Sequence, residues 1–417
     1  MFNFNSFFSR KLECFFFSFF VLFISYFYGQ PNLTNAFYKT PINLNIQDLQ
    51  DFSRYTYIDS CIKDARIVFL GESSHTSKEY SQAKYKLIKY LHEKHGYDVV
   101  LFESGISDCF YSNTVKNSKD STWLLKNSIF PIWWCPTTSS LMNYLKNQQI
   151  TFGGFDYQRS SNAHSSFIRM LSKIDTLFIS DLYKLDTAFS NFSNRNYPPL
   201  SKQKLEISQI IQAKLKNSYE KLDQQLSISK NEISSIEYEY YKRIISNRLF
   251  FIENYPDLAK INALRDSIMS YNLLWFIDSI YQNNKIIVWG ANDHIAKHRS
   301  GVSKDFYAAS TLPDRIKRQS YTIGLYAYSG QMYSYPSNFD IKKPKEISLE
   351  GRIHNLGGDT DVFLDLKHNS NTDFKWISQK VDSYHWGTLI DKIVPIKWYD
   401  GIILINKVTL SKNYSSK

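Results

Sequence analysis

Two stretches, Arg66-Ile-Val-Phe-Leu-Gly-Glu-Ser-Ser-His75 and Tyr97-Asp-Val-Val-Leu-Phe-Glu103, decide the fold. Each opens as a short apolar run and ends in a glycine or a carboxylate, the mark of a buried strand. Between them Leu87, Ile88 and Leu91 recur at helical spacing, and Gly96 supplies the stop. Strand, helix, strand predicts a parallel βαβ unit. Further outward, the same kind of run returns at Ile150–Asp156, Lys285–Gly290 and Tyr321–Tyr328, each bounded by glycine or polar residues as central parallel strands are. The chain closes on one more, Asp400-Gly-Ile-Ile-Leu-Ile-Asn-Lys-Val408. Between roughly 160 and 283 the pattern is long and helical, with Leu264, Ile268, Leu274 and Ile277 on one spacing. The predicted class is therefore α/β, with a mostly parallel central sheet flanked by helices and a helical insertion or cap. No internal repeat or low-complexity tract interrupts it.

The 417 residues are 43% hydrophobic and 21% charged, which excludes a disordered or fibrous chain. The formal charge of +11 is scattered, with no block of five like charges, so no nucleic-acid footprint is expected. Residues 1–29 stand apart: they hold eleven of the thirty phenylalanines, and Arg10 and Lys11 precede the apolar run Cys14–Tyr28. That order is the order of a secretory signal, and the run is shorter than the roughly 20 residues of a spanning helix. Removal near Gly29-Gln30 leaves a lead-in at 30–60, a main domain at 61–417 and a net charge of +10. The mature protein is expected to be exported, periplasmic or secreted, with no stable membrane insertion. Its three remaining cysteines, Cys61, Cys109 and Cys135, have no CxxC spacing, which excludes a disulfide scaffold and a zinc finger; all three read as small buried residues.

In open α/β sheets ligands sit beyond the carboxyl ends of the strands. There the sequence places Glu72 and His75, Glu103, Asp156, and Asn292-Asp293-His294 after four successive runs. A histidine beside carboxylates can take a proton from water at neutral pH, because the carboxylate fixes its tautomer and stabilises the imidazolium. Arg265, seven residues before Asn272 on the same helix face, offers positive charge for an oxyanion. Other motifs carry less. His92-Glu-Lys-His95 lacks the i,i+4 histidine pair of a metalloprotease helix and reads as solvated surface. No G-x-S-x-G exists, and Ser73 and Ser74 read as helix caps. Trp133 and Trp134 either line a pocket or pack.

Gly71-Glu-Ser-Ser-His-Thr-Ser-Lys-Glu-Tyr80, the strand ending in Glu103, Arg265-Asp-Ser-Ile-Met-Ser-Tyr-Asn-Leu-Leu-Trp275 and Val288-Trp-Gly-Ala-Asn-Asp-His294 together resemble the erythromycin esterase family. Its pattern runs Gly-Glu-x-x-His-Gly-Thr, a strand-terminal Glu, Arg-Asp-x-x-Met-x-x-Asn-x-x-Trp and Trp-x-His-Asn-x-His. The likeness extends from about 60 to 408, including the last strand. It implies an α/β core with a helical subdomain and metal-independent hydrolysis of an ester or lactone. It also implies a general base at His75, active-site carboxylates at Glu72 and Glu103, and charge stabilisation by Arg265 and His294. Lys84 and Glu79 fall on the family's basic and acidic positions in the first helix. Two positions depart: Ala291 replaces the first histidine of the late motif, and Thr76 replaces the glycine after the base.

The leading expectation is thus a cofactor-free ester or lactone hydrolase acting on a small molecule. Its catalytic set is His75, Glu72, Glu103, Arg265 and His294, with substrate contacts from Lys84, Asp156, Asn292, Asp293, Trp133 and Trp134. One alternative adds a metal held by Glu72, His75, Glu103 and His294, which are acceptable ligands for zinc or manganese. Another is a binding or envelope protein whose site has decayed, to which Ala291 points.

Overall fold

A computed structural model describes residues 42–158, 167–168, 170–171, 175–196, 198–298, 307–334, 337–369 and 372–411. The leader at 1–29 and the start of the lead-in lie outside the described residues. The main sheet is built from β1 (Ile42–Asn43), β2 (Ile67–Leu70), β3 (Val99–Gly105), β4 (Thr151–Asp156), β5 (Ile286–Trp289), β6 (Ser320–Ser334), β7 (Ser337–Asp340), β8 (Val362–Asp365) and β11 (Gly401–Val408). A separate hairpin pairs β9 (Val381–His385) with β10 (Leu389–Ile393). The sheet order is β1-β8-β11-β6-β2-β5-β3-β4, with β7 paired to β6. From β11 to β4 every neighbour is parallel, and β8 and β1 add an antiparallel edge.

The apolar runs become central strands because both of their faces are covered. Ile67, Phe69, Val99, Leu101, Ile286 and Val288 enter one core cluster, and Val68, Leu70, Val100, Phe102, Ile287 and Trp289 enter the other. Successive side chains point to opposite faces, so a continuous apolar run feeds two cores at once. β2 and β3 run parallel, as the strand–helix–strand pattern predicts, with β5 lying between them and Leu70 and Phe102 both opposite Trp289. Nothing local in a strand–helix–strand run specifies which strand fills the adjacent position, and here one formed much later in the chain does.

Helix α1 (Thr56–Ile62) starts in the lead-in, runs into the main domain and packs Tyr57, Ile58, Cys61 and Ile62 into the second cluster. Helix α2 (Lys78–His95) buries Tyr80, Leu87, Ile88 and Leu91 on the same face. It ends at Gly96 with φ 69°, whose N–H returns to His92 O while Tyr97 N reaches Leu91 O. This left-handed cap is why a glycine stands there. The His92 and His95 rings are tied to Tyr97 O and Asp59 Oδ1, at 2.9 and 2.7 Å, rather than left in solvent. Between β3 and β4 come α3 (Ile106–Thr114), α4 (Ser121–Ser128) and α5 (Pro136–Asn147). Cys61, Cys109 and Cys135 are all buried and free.

Among the described residues the long helices of the insertion are α6 (Thr176–Arg195), α7 (Lys202–Ile228), α8 (Ser235–Asn254) and α9 (Leu258–Trp275). Each starts where a side-chain oxygen accepts a backbone N–H of the first turn: Asp175, Ser201, Ser234 in a capping box with Glu237, and Asp257. Such caps are worth about 1 kcal/mol apiece and fix where the helices begin. After β5, α10 (Asn292–Ile295) turns the chain, α11 (Asp314–Arg318) leads into β6, and α12 (Leu349–Gly357) precedes β8. None of the described helices is long and apolar enough to cross a membrane.

Candidate active site

β2 and β5 end level, at Leu70 and Trp289 beside Phe102 of β3, and β3 runs on to meet β4 at the pair Gly105–Asp156. Past Leu70 the chain keeps following β6, with Gly71 N on Ile323 O and Ser73 N on Leu325 O. A side chain at Gly71 would sit 2.1 Å from Asn292 Oδ1, so this approach between the β2 and β5 ends requires glycine. A cleft of about 490 Å³ opens above these ends, and among its walls are His75, Glu103, Arg265, Ala291, Asp293 and His294.

Glu72 lies under the cleft floor rather than in its wall. Its Oε1 accepts from His75 Nδ1 at 2.9 Å and from the Trp133 indole N–H, and Lys84 Nζ stands 2.9 Å from its Oε2. Burial alone would raise this carboxyl, but Lys84 and His75 prevail and hold it below its usual range. With Nδ1–H given to Glu72, His75 presents Nε2 as its lone-pair nitrogen, and that atom hydrogen-bonds to no described residue. Trp133 and Trp386 stand edge-on to the imidazole at 4.9 and 5.2 Å between ring centres, one on each side.

Beside this pair lies a second, charged cluster. Glu103 Oε1 is 3.0 Å from Arg265 Nη2 and 3.2 Å from His294 Nε2, while Glu103 Oε2 accepts from Ala291 N at 2.8 Å. Asp156 holds the Arg265 guanidinium from the other side, with Nε donating to Oδ2 at 3.0 Å. His294 Nδ1 reaches Asp266 Oδ1 at 2.7 Å. Burial works against a charged imidazole here, but Glu103 and Asp266 outweigh it and push His294 up to about 10. The same contacts, led by His294, keep Glu103 far below the carboxylate range against its burial. At neutral pH, then, His294 and Arg265 are cations and Glu103 is an anion.

His294 therefore links folding to pH. The folded protein keeps the proton up to about pH 10, whereas an unfolded imidazole releases it near 6.5. This stabilisation is complete below about pH 6.5 and is lost as pH rises through 10. Urea titrations of wild type and His294→Gln should show the wild type losing its advantage steadily across that interval. Parallel stability curves would place the proton elsewhere.

Several residues expected to touch substrate are not among those lining the cleft. Lys84 is fully buried beneath Glu72, bonds Gly290 O at 3.1 Å and lies 4.2 Å from the Trp289 ring centre, so it joins the ends of β2 and β5. Asp156 is buried as the partner of Arg265. Asn292 is buried too, clamping Leu325 through its carbonyl and amino group. Trp134 turns away to donate to Ile129 O, because adjacent residues of this turn face opposite ways. Glu79 binds the backbone and hydroxyl of Thr409. Ser73 and Ser74 cap no helix; Ser73 Oγ meets Tyr80 OH and Ser74 Oγ meets Thr76 Oγ1. Trp133 and Asp293 do line the cleft.

Other residues were not foreseen. Asp266 was signalled by its place beside Arg265. His385 and Trp386 had no signal, because their position depends on the hairpin's docking. Trp386 has φ 51°, rare outside glycine, and its indole N–H donates to Asp293 Oδ2 at 3.3 Å beside His385 Nε2 at 3.1 Å. Glu350, at the start of α12, secures the hairpin by accepting from Tyr384 N at 2.8 Å and Ser383 Oγ at 3.1 Å.

The alternative metal set fares poorly on charge. Glu72 and Glu103 already face Lys84, Arg265 and a protonated His294, which repel a further cation and occupy the oxygens it would need.

A family model described as erythromycin esterase matches residues 92–408. The segment with Glu72 and His75 precedes that match. The "Putative hydrolase YbfO" of Bacillus subtilis (strain 168) is 30% identical over 393 residues, covering 85% of this chain and 86% of that protein. Erythromycin esterase type II of Escherichia coli is 22% identical over 411 residues, covering 89% and 96%. Among solved structures, a succinoglycan biosynthesis protein superposes with TM-score 0.71 at 19% identity over 90% of this chain and 96% of that one. The erythromycin esterase mutant EreC in its open conformation gives 0.64 at 15% identity over 91% and 99%. At those identities the two structures speak for the fold alone.

Proposed function

The chain belongs to the erythromycin esterase family, whose members are hydrolases, and from that premise we propose that it cleaves a carboxylic ester or lactone with water activated by His75. One observation carries the reading: the two cleft histidines have different partners. His294 has a carboxylate on each nitrogen, while His75 has one on Nδ1 and open cleft at Nε2. A nitrogen that faces the cleft with its ring held by a carboxylate suits a general base, and an imidazole flanked by carboxylates suits a charge stabiliser.

In the proposed reaction His75 Nε2 takes a proton from water as the oxygen bonds to the carbonyl carbon. Glu72, kept ionised by Lys84, stabilises the resulting imidazolium through Nδ1–H. Arg265 and His294 supply the positive charge that the tetrahedral oxyanion needs. The intermediate collapses, His75 returns its proton to the departing alkoxide, and acid and alcohol leave. Phe130, Ile132, Trp133 and Trp386 offer an apolar wall for the acyl or alkyl part. Export with loss of residues 1–29 completes the proposal, and the N-terminal sequence of the mature protein tests it.

The test of the activity is a panel of aryl esters, alkyl esters and lactones up to macrolide size, with and without chelator. Turnover that survives chelation supports the reading. Turnover abolished by chelation favours the metal alternative, and binding without turnover favours a decayed site.

A further inference from the structure

A second cluster of ligating side chains lies on the edge of the sheet opposite the cleft. Asp365 ends β8 and pairs with Gly401, the first residue of β11, far from where the parallel strands finish. Cys61 reaches it from α1 and His368 from the turn after β8. Their ligating atoms all lie within 4.8 Å of one another, and His368 Nδ1 is 3.2 Å from Asp365 Oδ2. Cys61 and Asp365 are buried, while the His368 side chain is 36% exposed and leaves one side of the cluster open to solvent.

Charge makes this grouping unusual. Asp365 Oδ2 accepts the backbone N–H of His368 at 3.1 Å and faces its Nδ1 at 3.2 Å, and among the described residues no lysine or arginine pairs with it within 4 Å. Its other oxygen accepts the Tyr321 hydroxyl at 2.6 Å. Buried anions without a firm counter-ion are costly.

We propose that Cys61, Asp365 and His368 bind one zinc-class divalent cation. The donors are one sulfur, one nitrogen and one oxygen, a set suited to zinc or cobalt and unsuited to magnesium or calcium, which take oxygen alone. On binding, the Cys61 S–H bond breaks, its proton leaves to solvent and the sulfur electron pair goes to the metal. Thiolate and carboxylate then neutralise a dipositive ion, and the imidazole binds uncharged. The fourth position falls on the open side beside His368, where water completes a tetrahedron. Closing from the observed spread to tetrahedral spacing takes side-chain shifts of about 1 Å. The bound ion would staple α1 to the β8 edge.

Cobalt titration of the chelator-stripped full chain tests this. One equivalent should bind and give intense tetrahedral d–d bands with a near-ultraviolet thiolate-to-cobalt absorption, and zinc should displace it. His368→Ala, at a partly exposed turn, should fold normally and weaken binding by at least about tenfold, the scale on which even supporting residues of metal sites act. Cys61→Ser should abolish the thiolate absorption, whereas His294→Gln should leave the titration unchanged. No saturable binding, cobalt spectra lacking the thiolate absorption, or equal affinity in His368→Ala and wild type would each overturn the proposal.

Discussion

Replacing His75 with alanine should lower hydrolysis of the best ester in the panel by about a hundredfold or more, the usual scale of a general base. Thermal unfolding should barely move, because this ring contributes one hydrogen bond and two ring contacts at the cleft wall, and Glu72 keeps Lys84 and Trp133 without it. The combination matters. A large kinetic loss with an intact fold identifies a group acting on water, whereas a matched loss of both would make His75 a brace for Glu72 and Trp133. Undiminished turnover by a folded His75→Ala protein would remove His75 from the reaction.

Arg265→Met should have the larger effect on stability. The guanidinium is the cation shared by Asp156 and Glu103, both buried, and its own protonation is reinforced by them despite burial. Removing it leaves Asp156 without this cation and Glu103 with His294 alone, and losing one partner of a buried pair costs about 3–5 kcal/mol. Urea denaturation should show a lower midpoint at unchanged slope. Arg265→Lys should recover only part of the loss, since an ammonium cannot reproduce the planar fork that meets both carboxylates. A loss below about 1 kcal/mol for Arg265→Met would mean that the carboxylates find another cation or take up protons.

What the chain reveals in one dimension follows the range of each interaction. The strands were legible because a run buried on both faces must be apolar throughout, as at Ile67–Leu70 and Ile286–Trp289. The end of α2 was legible because a left-handed cap demands glycine at 96. Glu103, Arg265, His75 and His294 came together because strand ends and a docked helix carry them there. Burial at the same edge was not legible. Lys84, Asp156 and Asn292 are as polar as their neighbours, and only the closeness of the β2, β5 and β6 ends turns them from wall into foundation. Trp386 was invisible for a related reason, since its place depends on the hold of Glu350 on a hairpin more than three hundred residues after His75 in a 417-residue chain.

The position of β5 also sets the order in which the molecule can be made. A chain emerging from its amino end presents β2 and β3 long before Ile286, and until β5 arrives these two strands have a vacant lane between them with unpaired edges on both sides. Such edges invite pairing with other chains, and contacts closed across so much intervening sequence form slowly. Fragments ending before residue 286 should therefore be sticky rather than merely inactive. The helical insertion, which must be traversed first, can fold on local contacts while the lane waits. Arrival of β5 then fills the lane and brings Asn292 and His294 to the cleft in the same event, and the outer edge of β2 stays open until β6 follows.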